Sequence, residues 1–234
     1  GDLPAYVRLI ETFESTGRLD RVVEGIAPND ELFRRASEGK GLTRPELAVL
    51  LSTAKLATQD GVEAAPLAED PSMDGELLAA FPDAMVKKHK SAILAHRLRK
   101  EIIATKLANR MINRLGLLHP FELAEEEGCG LGEVAAAFAI AERIYDLPAL
   151  WQAIDTAEMP ESTRLLLFNQ TAVEVRAQMA DLIRNAAEGR DVGAATALYT
   201  PVVQKLSTSL DSLLPADVRH QTESFGARLV EHGA

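Results

Sequence analysis

The sequence predicts an all-α fold, an irregular multi-helix bundle arranged around one long central helix at about residues 90–116. Apolar residues recur at intervals of three and four, whereas the alternating pattern of strands is nearly absent. Pro, Gly and capping residues divide the chain into segments of helical length. From residue 90 to Gly116 neither Pro nor Gly intervenes, which allows about seven turns before a glycine C-cap.

Capping residues mark the helices expected before the central one. These helices are 3–16, 18–26, 28–38 and 46–59. The most specific signal is Thr43-Arg44-Pro45-Glu46, in which Thr43 and Glu46 have the spacing of a capping box. The helix that follows it is apolar nearly all round, so we expect it in the core.

The remaining elements are separated by Pro and Gly. Residues 60–74 are rich in Gly, Pro, Ala and acids and predict a surface loop, with a short turn of helix allowed within it. Residues 75–89 predict two short helices broken at Pro82. The helices expected after the central one are 119–128, 132–146, 148–158, 162–188, 193–210 and 215–232. We expect Pro201 to kink or divide the fifth of these.

Composition limits the classes of function. The 234 residues are 47% hydrophobic, which suits one helical domain over 1–234, with a subdivision allowed near 147–160. A net charge of −10 argues against nucleic-acid binding. There is no signal peptide or membrane-length apolar run, and Cys129 cannot form an internal disulfide, so we expect a cytoplasmic protein without a membrane partner. Because the chain opens on Gly1 rather than Met, we expect it to be a piece of a longer polypeptide.

A glycine-rich turn, a cysteine and five histidines are candidates for a dinucleotide site, a reactive thiol and a metal site. Gly128-Cys129-Gly130-Leu131-Gly132 precedes a helix, but Glu133 stands where a dinucleotide fingerprint needs its third glycine, and no strand precedes it. We interpret it as an N-cap loop joining two helices, and Cys129 as an ordinary thiol without a histidine partner. No two histidines are four residues apart, so they predict no metal site: His89, His96, His119, His220 and His232.

The central helix carries the two remaining candidates. The first is a basic stretch that begins just before this helix and is opposed only by Glu101; its members are Lys87, Lys88, Lys90, Arg97, Arg99, Lys100, Lys106, Arg110 and Arg114. No aromatic residue is interleaved for base stacking, so we expect them to pair with another subunit or with acidic neighbours such as Glu122, Glu125, Glu126 and Glu127. Thr105, Asn109 and Asn113 share one face, and we expect a structural hydrogen-bond network in which the two asparagines are the most costly to truncate.

Two ordered segments resemble a known family. They are GLTRPELAVL at 41–50 with Ala54-Lys55, and HRLRKEIIAT at 96–105 with Ala108-Asn109 and NRLG at 113–116. Together they resemble the C-terminal region of the large bacterial NAD-specific glutamate dehydrogenases. The resemblance covers about 18–151. Within this range, Thr53 and Ala80 stand where tyrosines are expected. Beyond it, residues 173–178 lack an expected Arg-Trp pair.

The resemblance implies an enzyme of amino-acid catabolism that converts L-glutamate, NAD and water to 2-oxoglutarate, ammonia and NADH. It also implies that the catalytic and NAD-binding parts lie upstream. We therefore expect no catalytic, cofactor-binding or metal-ligating residue here, no bound NAD and no activity of this piece alone. The expected partners are the upstream catalytic domain and further copies in a homo-oligomer, with a structural, assembly or regulatory role. The alternative is a stand-alone helical binding module that uses the basic face at 87–114.

Overall fold

The computed structural model describes residues 3–185 and 191–213. Within these ranges the protein is all-α, as predicted, with twelve α-helices and no strand. The helices are α1 (Leu3–Ser15), α2 (Arg21–Glu24), α3 (Asn29–Ser37), α4 (Arg44–Ala64), α5 (Asp74–Leu78), α6 (Asp83–Leu94), α7 (Arg99–Leu115), α8 (His119–Glu127), α9 (Leu131–Ile144), α10 (Leu147–Thr156), α11 (Glu161–Arg184) and α12 (Val192–Leu213). None of the helices in these ranges combines the length and the apolar character needed to cross a membrane.

The chain divides into two compact units. The first contains Gly1–Glu69 and Met73–Ala135, and the second contains Asp70–Ser72 together with the chain from Ala136 onward. The division therefore falls inside α9 and not near 147–160, where the sequence allowed one. That residues 1–234 behave as one domain stays a prediction.

The core of the first unit forms where α1, α4 and α8 meet. Ile10 of α1 is fully buried, and Phe13 is only 1% exposed. The ring of Phe13 meets that of Phe121 edge-on, with centroids 5.3 Å apart. Leu50 and Ala54 of α4 belong to the same buried cluster. Because each large side chain contributes roughly 1.5–3 kcal/mol when buried, this cluster is a main source of stability in the unit.

Helices α4 and α7 make the most extensive helix–helix contact of the first unit. The face of α7 that carries Ile103, Leu107 and Met111 is fully buried. Helix α4 lies in the core, as expected, but only along part of its circumference, since Leu51 and Leu56 remain 39% and 58% exposed.

The segment at 60–74, predicted as a surface loop in which a short helical turn was allowed, is mostly helical and partly buried. Helix α4 continues to Ala64, and two short 3-10 turns follow at Pro66–Glu69 and Pro71–Met73. Ala68 and Met73 are fully buried. The glycine and proline content that predicted a loop therefore reflects close packing and tight turns.

Gly61 and Gly132 explain part of this difference. A Cβ on Gly61 of α4 would lie 2.7 Å from the Cβ of Leu131, and a Cβ on Gly132 of α9 would lie 2.5 Å from that of Ala65. Both distances are too short for real atoms. These two glycines therefore allow α4 and the start of α9 to approach each other within the first unit.

The long central helix predicted at 90–116 is two helices. Helix α6 ends at Leu94 and α7 begins at Arg99. In the turn between them, Nδ1 of His96 accepts a hydrogen bond from the backbone N–H of Leu98 at 3.1 Å. A side chain thus satisfies an amide that a continuous helix would bond internally. The imidazole also contacts the ring of Phe81, with centroids 5.9 Å apart, so a tertiary contact accompanies the break.

The second unit is built on the buried part of α9. Phe138 is fully buried and stacks on Trp151 of α10, with centroids 6.1 Å apart. Helix α11 packs on α10 and buries Val175 and Met179. It ends at Arg184, earlier than the predicted residue 188.

Helix α12 runs through Pro201 without being divided, although the sequence allowed a division there. The expected helix at 215–232 and the expected stop at Gly189 lie outside the described residues.

Candidate functional site

Most basic residues of α7 bind the segment that precedes α6. Arg99 donates to the backbone carbonyl of Ala68 at 3.1 Å and forms an ion pair with Asp74 at 2.6 Å. Arg110 makes two hydrogen bonds to the Glu76 carboxylate, at 2.9 and 2.7 Å, and both side chains are mostly buried. Such two-bond pairs are geometrically specific, so Arg110 fixes α5 against α7.

Two lysines of α7 extend this arrangement. Lys106 donates to the carbonyl of Ala79 at 3.0 Å, and Lys100 forms an ion pair with Glu69. The hydrogen bond from Lys100, with its positive charge, holds the pKa of Glu69 below its usual value. Glu69, Asp74 and Glu76 therefore each pair with a basic residue of α7.

Four further basic side chains lie on α6 and in the turn after it. Lys87, Lys88, Lys90 and Arg97 are exposed, and no carboxylate among the described residues pairs with them. A single binding face that runs from 87 to 114 is therefore not formed. What remains available is a shorter basic surface on α6, which we call the α6 basic surface.

The predicted polar network on the central helix is not formed either. Thr105 and Asn113 are exposed, and the half-buried Asn109 donates to the carbonyl of Thr105 in its own helix at 2.9 Å. A structural network was predicted on this face of the helix, but the face of α7 that packs against other elements is the adjacent one. Truncating either asparagine should therefore have little effect on stability.

The glycine-rich turn at 128–132 joins two helices, as predicted. Gly128 ends α8 in the left-handed conformation, with φ of 62°. The N–H of Gly130 donates to the carboxylate of Glu133 at 2.9 Å, so the donor that would face a phosphate is already occupied by an anion. With no strand among the described residues, this turn does not fit the dinucleotide fingerprint of an NAD site.

Glu46 has a structural role larger than the capping box that the sequence predicted. The capping box is present, and Glu46 is only 4% exposed. Its carboxylate also accepts hydrogen bonds from the backbone N–H of Ala27 at 3.1 Å and from Arg35 at 3.1 Å. Burial alone would raise the pKa of Glu46, but the hydrogen bonds from Thr43 and Ala27 and the charge of Arg35 outweigh it, so the pKa is lowered.

Asp70 and Arg143 hold the segment 70–72 within the second unit, a role that the sequence did not reveal. Asp70 accepts the backbone N–H of Ser72 at 2.7 Å and that of Val192 at 2.9 Å, which caps α12. Burial would raise the pKa of Asp70, but these bonds and one from Gly193 outweigh it and lower the pKa. Arg143 donates to the carbonyl and the hydroxyl of Ser72 at 2.9 and 3.1 Å.

A shallow depression of about 520 Å³ lies between the end of α1 and α2. Its charged lining is bonded internally: Arg21 pairs with Glu14 at 2.8 Å, and Asp20 caps the backbone N–H groups of Val22 and Val23. Among the described residues no group of three His, Cys, Asp or Glu side chains is placed to hold a metal ion. The polar groups described above form hydrogen bonds and ion pairs with other residues of the chain. Such contacts can hold helices at fixed positions.

Comparison with known proteins gives the family. A family model described as "Glutamate dehydrogenase, C-terminal" matches residues 39–234, well over half of the chain. The chain belongs to this family.

Three curated relatives share the description "NAD-specific glutamate dehydrogenase". The chain is 29% identical to the protein of Pseudomonas aeruginosa over 97% of its own length. It is 31% identical to that of Halomonas elongata over 65% of its length, and 26% identical to that of Mycobacterium tuberculosis over 99%. The chain spans only 14% of the Pseudomonas and Mycobacterium proteins and 10% of the Halomonas protein.

The two segments that carried the resemblance to this family have structural roles in the first unit. The segment at 41–50 contains the capping box and Glu46, which joins α4 to Ala27 and Arg35. The segment at 96–105 contains the turn at His96 and Arg99, which pairs with Asp74 at the start of α5. In this member of the glutamate dehydrogenase C-terminal family, both motifs organise helix packing.

Proposed function

We propose that this chain is the C-terminal helical domain of an NAD-specific glutamate dehydrogenase, with a structural, assembly or regulatory role. One observation carries the proposal: relatives with that description match nearly all of the chain with only 14% of their own length. The complete polypeptide oxidises L-glutamate with NAD and water to 2-oxoglutarate, ammonia and NADH. Its catalytic residues and its NAD site lie in the part outside this chain.

The internal bonding of the chain supports a structural role. Arg99 and Arg110 are engaged with Asp74 and Glu76, and Glu46 is engaged with Arg35. Charged groups that satisfy one another are unavailable as acids, bases or anion ligands, but they fix helices at defined positions. We propose that the domain presents a rigid surface to the catalytic part, in a cytoplasmic homo-oligomer.

The direct test is an assay of NAD reduction with L-glutamate on two samples, the isolated chain and the complete polypeptide. We expect turnover by the complete polypeptide only, and no detectable NADH from the isolated chain. Glutamate-dependent NADH formation by the isolated chain would overturn the division of roles. A complete polypeptide that is inactive on glutamate would overturn the assigned reaction.

The α6 basic surface favours a second candidate function, a stand-alone module that binds a polyanion. Lys87, Lys88 and Lys90 are exposed on α6, on the two sides of a kink at His89, in a chain with a net charge of −10. Binding of polyphosphate to the isolated chain, weakening steeply between 50 and 200 mM salt and lost on replacing the three lysines by Gln, would support it. No binding at low salt would exclude it.

A further inference from the structure

Exposed apolar side chains form a row on one helix of the second unit. On α12, Leu198, Val202 and Leu206 are 63%, 61% and 53% exposed. Residues four apart lie on one face of a helix, so these three form a continuous row, which we call the α12 stripe. Single exposed apolar residues are ordinary in proteins, but a contiguous apolar surface of this kind marks an interface.

Helix α11 also exposes apolar side chains. Leu165 and Val173 are 55% and 56% exposed, but Asn169 lies midway between them, so they do not form a continuous row. The inner face of the same helix is packed, since Val175 and Met179 are buried. The continuous apolar row of the second unit is therefore the α12 stripe.

The α12 stripe has almost no charge around it. Between Val192 and Ser209 the only charged residue is Lys205. Helices that pair with a second copy of themselves commonly carry Glu and Lys beside the apolar seam, and these charges set partner and orientation. The stripe suits a permanent apolar contact better than an exchangeable association between copies.

We propose that the α12 stripe docks against the part of the longer polypeptide that lies outside this chain. This inference rests on the proposed function and names the surface through which the domain meets the rest of the enzyme. Enough polypeptide exists to cover the stripe, because most of the length of the relatives lies outside the matched region. A tethered partner has a high effective concentration, so an apolar face is covered as soon as both parts have folded. The described α12 is about 33 Å long, enough to cross one face of a domain.

Matched charge substitutions on the two sides of α12 test the proposal. Val202→Glu places a carboxylate in the stripe, whereas Gln204→Glu places one on the opposite, exposed side of the same helix. Hydrogen exchange of the α12 amides is measured in the complete polypeptide and in the isolated chain. In the complete polypeptide we expect exchange to become at least about tenfold faster with Val202→Glu, and to stay within about twofold with Gln204→Glu, because interface residues at a packed centre dominate docking.

The isolated chain supplies the decisive comparison. There we expect both variants to exchange like the parent, because Val202 is already exposed. Faster exchange of Val202→Glu in the isolated chain would mean that the stripe is covered within the 234 residues, and would overturn the proposal. Protection that grows with chain concentration and disappears with Val202→Glu would assign the stripe to a second copy, again overturning it. Equal behaviour of both variants in the complete polypeptide would do the same.

Failure of the proposed function has a different readout. The unsubstituted complete polypeptide would then form no NADH from L-glutamate, whatever the exchange of α12. The docking measurement itself requires no turnover.

Discussion

At the scale of single residues, the hydroxyl of Thr58 tests whether the buried polar groups of the core all have hydrogen-bond partners. Thr58 is fully buried on α4, and its Oγ1 has no hydrogen-bond partner among the described residues. A buried polar group without a partner costs about 1–3 kcal/mol. We therefore expect Thr58→Val, which keeps the shape and removes the hydroxyl, to raise the free energy of unfolding by about 1 kcal/mol in urea denaturation.

Thr53 on the same helix is the matched control. Its hydroxyl donates to the carbonyl of Val49 at 2.9 Å, so Thr53→Val removes a made bond and should change stability by no more than about 0.5 kcal/mol in either direction. Destabilisation by Thr58→Val would show that the hydroxyl has a partner after all.

Glu46 gives a prediction about pH. Its pKa in the folded protein is below its ordinary value of 4.5, so the ionised form stabilises the fold above the unfolded pKa, and this contribution is lost as pH falls through the folded pKa. We expect Glu46→Gln to lower the free energy of unfolding by roughly 1–3 kcal/mol at pH 7, because an amide cannot accept all the donors around it. The deficit should shrink steadily as pH is lowered below 4.5.

The control is Glu101→Gln, at an exposed position on α7. We expect its unfolding free energy to stay within about 0.5 kcal/mol of the parent across the same pH range. If the deficit of Glu46→Gln were independent of pH, the ionised carboxylate would not be the stabilising species.

Residue-level roles were predictable where a local rule applies. The reciprocal spacing of Thr43 and Glu46 predicts the capping box, which is present. The bonds from Ala27 and Arg35 to the same carboxylate were not predictable, because they join positions that only the fold brings together. The network predicted for Thr105, Asn109 and Asn113 did not form between these residues and other elements, since four-residue spacing identifies a shared face but not which face is buried.

At the scale of elements, the contact between α4 and α9 depends on two glycines. A Cβ on Gly132 would lie 2.5 Å from Ala65 Cβ and 2.8 Å from the carbonyl oxygen of Gly61. Because the backbone oxygen cannot move away without moving the helix, we expect Gly132→Ala to destabilise the chain by about 1–3 kcal/mol in thermal or urea unfolding.

Gly75→Ala on α5 controls for helix propensity. A Cβ there would meet nothing within 4 Å, so alanine should be neutral or stabilise by up to about 1 kcal/mol. Equal effects at the two glycines would contradict a close approach of α4 and α9.

The sequence predicted helix boundaries correctly where a local capping or proline signal sets them. It predicted them wrongly where packing between distant segments sets them. The division at Pro82 was predicted and lies between α5 and α6. The break between α6 and α7 was not predicted. It contains no Pro or Gly, and the side chain of His96 bonds the backbone within the turn instead. Gly61 was misread as a loop signal, since a glycine required by a close helix contact looks the same in the sequence.

At the scale of the whole molecule, periodicity was sufficient for the fold class, and the resemblance was sufficient for the family. Which basic residues form ion pairs and which stay exposed was not predictable. Arg99 and Arg110 are bonded to Asp74 and Glu76, leaving Lys87, Lys88 and Lys90 exposed on α6. Charge counts along a sequence cannot separate these groups, because pairing depends on which segment folds back onto α7.

The measurement that tests the central claim most directly is deletion of this domain from the complete polypeptide. Glutamate-dependent NAD reduction and the assembly state, by analytical ultracentrifugation, are compared between the intact polypeptide and the one that ends before Gly1. A supporting domain predicts that the deletion lowers turnover at least about tenfold or disrupts the assembly, while the isolated chain stays folded and inactive. A deleted polypeptide that assembles and turns over like the intact one would contradict the account.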